Sequence, residues 1–489
     1  MANVLINISN DTVHWTLSIP MLMARFLLLI LLLTVSFRSF AQTTYTLSYT
    51  DSNSTIISIQ IKAQTPIAAP LHFVMPRSIP GAYGIAIYDQ FIENIQIVNT
   101  KGERHPMFKD GNDAPRWLYA DSAAQIVQIT YQVNLEKMER KTSAADASIV
   151  RPGFVGLLNY SIFGWIEGLE REAIICRIQA CKTWPIFSTH VPSLVLPKDS
   201  LVFRADHYFS LADGQIFMGQ RTRVKVFQGE VPLFVASYCQ TQDEYLDDYG
   251  TQGTTSLSIL KDYFGELPFQ HYSILLRKVV PLEPVSAPSL AMEHLQSATF
   301  FGDTSGLRQT PMPPMRLKQT MASYLHHMGH VFIPLRCYGD TYRPYPLEVP
   351  PIINNIWFNE GFIWFLTYDA LKLENLSRVF VSSAYKTSPE LKKLTLSQLS
   401  QLASTTYGVD FRIGRSVYSR GALMAMDMND YMLEKTGGKK SMKDVFKYLY
   451  QWSKQNKRAF TLEEFPSLIS QACGVDLNGI FQKWQRPLE

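Results

Sequence analysis

His326-His327-Met328-Gly329-His330 lies within Met315 to Ile333, a run that turns helical in pattern after Pro313-Pro314. On a helix His326 and His330 are four residues apart, so at about 100° per residue they stand roughly 40° apart on one face. Two imidazoles so placed can share one cation through their ring nitrogens, and Zn²⁺ suits such donors. The pair alone is weak evidence, because histidines at this spacing also occur on surfaces and in cores without a metal.

Further along, Trp357-Phe358-Asn359-Glu360-Gly361-Phe362 places an acid on a second apolar helix, Ile356 to Leu373. A carboxylate in apolar surroundings is costly unless it is paired or bound to metal. An exposed position on an amphipathic helix is the plainer reading. With His326 and His330, Glu360 would complete the two-histidine, one-glutamate set that leaves a fourth position open at a catalytic zinc. Upstream, Ala291-Met292-Glu293-His294 follows a proline-containing apolar stretch. A carboxylate on a strand beside a cleft can bind a peptide's free α-ammonium, or it can be an ordinary edge-strand charge. Downstream, Tyr418-Ser419-Arg420-Gly421-Ala422-Leu423 offers a phenol that could steady an oxyanion, although most tyrosines at helix starts simply pack.

Taken together, in this order and spacing, these motifs resemble the glycyl-aminopeptidase family of zinc metallopeptidases (metallopeptidase family 61), relatives of the thermolysin-like zincins. That family carries H-E-x-x-H followed by a glutamate in a W-F-x-E-G-F-like segment, and here 29 residues separate His330 from Glu360. Ala291 to His294 is similar to its G-x-E-H strand. Arg336 matches an arginine just after its zinc helix. Tyr418 to Leu423 with Gly437-Gly438-Lys439-Lys440-Ser441 resembles its Y-x-K-G-A-L helix and G-G-K-x-S turn. Ser78-Ile79-Pro80-Gly81-Ala82-Tyr83 is similar to the W-I-P-G-S-Y segment of its N-terminal domain. The resemblance runs from about residue 45 to the C-terminus. It implies one Zn²⁺ held by His326, His330 and Glu360, and a substrate site at Glu293, His294 and Arg336. It also implies Tyr418 as the catalytic phenol. Many members also carry a PDZ domain, for which helical signals over residues 416–489 leave little room.

One departure bears on the chemistry: His327 stands where the family has its catalytic glutamate. In a working zincin the metal brings its bound water towards a pKa of ~7 and the glutamate takes the proton. An imidazole can accept a proton, but a neighbouring Zn²⁺ lowers its basicity, and its shape differs from a carboxylate. A second possibility is that His327 itself binds metal, pairing with His330 at i, i+3.

The rest of the chain supplies the frame. Tyr45 to Tyr49, Ile56 to Ile61 and Val127 to Val133 alternate apolar and polar residues between Gly, Pro, Asn and Asp turns, the signature of an antiparallel β-sandwich. Val224 to Phe227 and Tyr272 to Leu276 read as strands, and Thr254 to Phe264, Met315 to Ile333 and Ser416 to Leu433 as helices, with Ser441 as an N-cap. The expected class is therefore a multidomain α+β protein. It would comprise an N-terminal segment (1–41), a β-sandwich domain (42–170), a zincin-like peptidase domain (171–415) and a C-terminal helical region (416–489).

At 489 residues the chain is too long for one core. Its apolar content of 46% and charged content of 18% mark it as globular rather than disordered. A net charge of +4 with no dense basic run gives no sign of a nucleic-acid partner. Arg25 followed by the apolar run Phe26 to Phe37 and then Ser39-Phe40-Ala41 reads as a secretory signal cleaved after Ala41, with translation starting at Met21 or Met23. An uncleaved anchor is the rival reading. Export to the periplasm or the exterior follows from either, and a disulfide among Cys176, Cys181, Cys239, Cys337 and Cys473 would be permitted there.

The expected function is an exported, zinc-dependent aminopeptidase acting on small N-terminal residues, with activity weakened or lost at His327. The alternative is an inactive pseudopeptidase that binds a peptide or a cell-envelope partner. A third reading makes the β-sandwich itself the working part.

Overall fold

The computed structural model describes residues 42–111, 115–142, 146–239, 246–283, 291–303, 314–343 and 345–488. The apolar run and cleavage residues read as an export signal lie outside them.

Alternation builds the N-terminal half. Strand Gln42–Ser48 is buried at every second residue, so Thr43, Tyr45 and Leu47 face inward while Thr44 and Thr46 lie nearer solvent. Ile57, Ile59 and Ile61 repeat the pattern on strand Ile56–Ala68, as do Ile129, Tyr131 and Val133 on Gln125–Asn134. These strands belong to a seven-stranded sheet. Two four-stranded sheets stand with it, one centred on Gln215–Met218 and Phe154–Leu158, the other on Leu71–Val74 and Arg116–Tyr119. The sandwich is antiparallel except where Gln42–Ser48 runs parallel to Ala173–Gln179. A parallel pair needs a long connection, and more than a hundred residues of the other strands supply it. Strand pairing thus continues past residue 170 and ends in this half at Met218.

A five-stranded sheet joins this half to the helices. Its order is Arg223–Phe227, Leu233–Cys239, Tyr272–Val279, Ser297–Asp303 and Ala291–Glu293. The three central strands are parallel and the last is an antiparallel edge. Both faces are covered, which is why Tyr272–Val279 is buried at every residue but Lys278 and its centre, Ile274-Leu275-Leu276, does not alternate. Ile274 and Leu276 pack into the helical core, whereas Leu275 and Val279 pack into the β-rich core.

Helices Leu246–Phe264 and Pro314–Gly329 lie on the helical side and contact one another. The second stops four residues before the Ile333 expected from the pattern. The residue before a proline is disfavoured in helical geometry, and Pro334 follows Ile333. The expected helix from Ile356 begins as a π-helical turn, Trp357–Phe362, and continues as α-helix Ile363–Leu371. Helix Phe411–Thr436 crosses this turn at backbone contact. A Cβ on Gly361 would lie 2.6 Å from Gly421 Cα, and one on Gly421 would overlap the Trp357 carbonyl oxygen. Glycine at both positions allows the approach. Gly437 ends the long helix in left-handed conformation, and Ser441 caps the next helix in a capping box with Asp444.

Residues Gln42–Glu489 form a single unit. All five cysteines are buried, and Cys176, Cys181, Cys337 and Cys473 carry free thiols. No described helix is long and apolar enough to cross a membrane.

Candidate metal centre

The last turn of Pro314–Gly329 carries His326, and His330 lies just beyond it. Their Nε2 atoms are 3.1 Å apart. Glu360 Oε2, on the π-helical turn, is 3.3 Å from His326 Nε2 and 3.5 Å from His330 Nε2. Ligand atoms at ~2.0–2.2 Å from a tetrahedral metal stand about 3.3–3.5 Å from one another. The three predicted ligands stand within a few tenths of an ångström of that spacing, and all three are buried.

Their neighbours set orientation and charge. His330 Nδ1 is 2.9 Å from the Ile333 carbonyl oxygen, to which it donates, so Nε2 is left as the ligand nitrogen. The His326 ring stacks on Trp364 at 4.2 Å, and its buried Nδ1 has no hydrogen-bond partner among the described residues. Burial and the adjacent His330 push His326 down to about 3, which keeps it as the neutral imidazole that a metal needs. Burial also disfavours charge on His330, but the Glu360 and Glu293 carboxylates outweigh it and raise His330 to about 9. Burial would lift Glu360, yet the two histidines hold it far below the usual carboxylate range. The trio thus carries one proton that a divalent cation would displace. The residues fit a zinc ion.

His327 is adjacent on the same helix and half-buried. Its Nδ1 lies 3.4 Å from Glu293 Oε2, and its ring meets Phe300 edge-on at 5.8 Å. Glu293 ends the edge strand and is 7% exposed. Burial raises its pKa, but His330 and His327 reverse this and keep it ionised. Gly81, at φ +89°, presses against the Glu293 carboxylate, where any Cβ would overlap Oε1. The Ser78–Tyr83 segment of the β-rich half thus reaches the centre itself.

Tyr83 in that segment donates a 2.9 Å hydrogen bond to Glu360 Oε1, and Asn359 Nδ2 approaches its hydroxyl at 3.5 Å. The sequence reading quoted this tyrosine within a motif but gave it no role in the site. Tyr418 stacks on Tyr407 at 5.8 Å, and Tyr407 meets Tyr83 edge-on at 6.0 Å. Three phenols therefore run together beside Glu360. Burial and the Glu360 charge raise Tyr418, so it remains a protonated donor.

His294 and Arg336 do not join this group. His294 Nδ1 lies 3.0 Å from Asp213 Oδ1, and its Nε2 is 2.6 Å from Gln215 Nε2. Arg336 Nη1 donates to the carbonyls of Leu295 and Val331 at 2.9 and 3.0 Å. His294 is thus tied to the β-rich half, while Arg336 links Leu295, just after the edge strand, to Val331, just after the histidine helix. Expected as substrate contacts, they are engaged in these hydrogen bonds instead of lying against the histidine–glutamate group.

Comparison with known proteins gives a consistent picture. Residues 44–220 match the peptidase M61 N-terminal domain. No curated protein matches the sequence. Among solved structures, the fold is similar to an aminopeptidase N family protein from Idiomarina loihiensis, at 16% identity and a TM-score of 0.77, over 91% of this chain and 76% of that one. It is also similar to an M1 zinc metallopeptidase from Deinococcus radiodurans, a glutamate-to-alanine mutant bound to a Tyr-Ser-Ala substrate. There the identity is 13% and the TM-score 0.51, over 92% and 94% of the two chains. A two-domain M1 zinc metallopeptidase bound to L-arginine shows 12% identity and a TM-score of 0.50, over 92% and 95%. At these identities the likeness is one of fold.

Proposed function

Because this chain carries a peptidase M61 N-terminal domain and an aminopeptidase-like zinc metallopeptidase fold, we propose that it is an exported zinc metallopeptidase-like protein of the aminopeptidase type, with hydrolysis weakened or lost at His327. The observation that carries the proposal is the mutual spacing of His326, His330 and Glu360, 3.1 to 3.5 Å.

Zinc at such a site supplies a Lewis acid and an acidified water. The chain's own groups would do the rest. Glu293, ionised at the end of the edge strand, would take the α-ammonium of a peptide. Tyr418 would donate to the oxyanion as it forms. Small first residues such as glycine or alanine are the substrates that the resemblance of the sequence motifs implies. What is missing is the carboxylate that takes a proton from water. A general base contributes ~10²–10⁴ in rate, or about 3–5 kcal/mol of barrier, and His327 has turned its Nδ1 towards Glu293. That same contact favours the second reading, an inactive pseudopeptidase that binds a peptide or an envelope partner. Export rests on the apolar run from Phe26 to Phe37 and the small residues up to Ala41.

The test is release from glycyl and alanyl reporters, with and without chelator, by the natural chain and by His327→Glu. Chelator-sensitive release by both, faster in the variant by about 10²–10⁴-fold, supports a weakened enzyme. Release by the variant alone establishes the pseudopeptidase. No chelator-sensitive release by either sinks the peptidase reading.

A further inference from the structure

We propose that His327 is a fourth protein ligand to the metal held by His326, His330 and Glu360, with Glu293 as the acceptor that aims its ring. The centre would then be closed, with no position left for water. This rests on the zinc-site reading above and goes beyond it by assigning a role to the residue that breaks the motif.

Three observations carry it. Ring nitrogens of His326, His327 and His330 all lie within 4.8 Å of one another. The three rings also converge edge to face. The His326–His330 centroids are 4.6 Å apart at 81°, those of His326–His327 5.0 Å at 84°, and those of His327–His330 6.0 Å at 62°. His327 is the least buried of the three, its side chain 21% exposed against 5% and 1%. It therefore has the most freedom to close the remaining gap.

The third observation concerns the nitrogen that faces away from the metal. A metal-bound histidine almost always gives its other N–H to a carboxylate or a carbonyl, which fixes the tautomer. His330 does so through Nδ1 to Ile333. His327 stands the same way, with Nδ1 against Glu293 Oε2 and Nε2 left as the lone-pair nitrogen. Glu293 is buried, and a buried carboxylate needs a partner. His327 provides one within the chain. A peptide ammonium would have to displace it.

Sites with four protein ligands are structural, whereas those with three and an open position are catalytic. The substitution would thus do more than delete a base. It would convert an open centre into a closed one that ties the histidine helix, the π-helical turn and the edge strand to a single ion. Three imidazoles and one carboxylate in tetrahedral array suit Zn²⁺.

The experiment loads the full chain with Co²⁺ and follows its visible spectrum during an azide titration. The natural protein should show tetrahedral bands that azide does not move, and His327→Ala should show bands that azide shifts. In parallel, Glu293→Gln should weaken Zn²⁺ affinity by about 10–100-fold, as loss of a carboxylate that orients a ligand imidazole does. Bands of the natural protein that shift with azide overturn the proposal and leave the three-ligand reading standing. Unchanged Zn²⁺ affinity in Glu293→Gln also counts against it. Failure of the natural protein to bind either ion overturns both. The azide titration of the natural chain and the Glu293→Gln affinity decide the matter even if His327→Ala does not fold.

Discussion

Tyr83, from a loop of the β-rich half, donates a 2.9 Å hydrogen bond to Glu360, a candidate metal ligand 277 positions later in the chain. The centre is therefore assembled from both halves. The hydrogen bond also fixes which Glu360 oxygen faces the histidines, since Oε1 is taken by the phenol while Oε2 faces both imidazoles.

Replacing Tyr83 with Phe would leave Glu360 Oε1 buried without its donor. The cost should be about 1–3 kcal/mol of stability, and Zn²⁺ affinity should fall by about tenfold or more, as when a ligand loses its orienting partner. Chemical denaturation and competitive zinc titration measure the two effects. If both stay unchanged, the hydrogen bond does not orient the ligand.

Gly421→Ala should be among the most damaging single-methyl changes in the chain. Its Cβ would overlap the Trp357 carbonyl oxygen, which is backbone and cannot rotate away. Overpacking of this kind costs about 1–3 kcal/mol. Here it would also push the Tyr418 helix off the turn that carries Glu360, so metal affinity and stability should fall together. A variant as stable as the natural chain would show that the two backbones are not held in contact.

Asp146 gives a pH signature away from the ligands. Burial, opposed by Arg277 and reinforced by Glu293, raises its carboxyl from 3.8 to about 7, and its Oδ1 has no hydrogen-bond partner among the described residues. A carboxyl raised in the folded state keeps a proton that the unfolded chain has lost. Its contribution is full below pH 3.8 and is lost as pH rises through about 7. Asp146→Asn should flatten that decline, and the gain over the natural protein should be larger at about pH 8 than at about pH 4. Urea midpoints at the two pH values provide the comparison. An equal difference at both would remove Asp146 as the source.

The parts of this arrangement that were legible in the sequence were local. His326 and His330 announce themselves by an interval that matches the helix period, and Glu360 by being an acid in an apolar stretch. Strands such as Ile56 to Ile61 show their period-two pattern outright. What was not legible depended on distance or direction. Tyr83 lies in a motif that could be quoted, yet no local pattern says that a β-domain loop will reach a helix 277 residues away. His294 and Arg336 stand in recognisable motifs, but their neighbours in space, Asp213 and the Leu295 carbonyl, come from elsewhere in the chain and could not be read from those motifs. The pairing of Gln42–Ser48 with Ala173–Gln179 is equally silent, because a parallel partner can enter from any later segment.

The five-stranded sheet bears on whether either half could exist alone. Leu275, Val279, Ala236 and Tyr238 are buried under the β-rich half, while their neighbours Ile274 and Leu276 are buried under the helices. Excising residues from about 220 onward would strip one of these surfaces and leave the β-rich remnant with a bare apolar underside prone to clumping. The two halves would have to be inherited, expressed and degraded as one body, so the helical half could not be removed without exposing the apolar face beneath it.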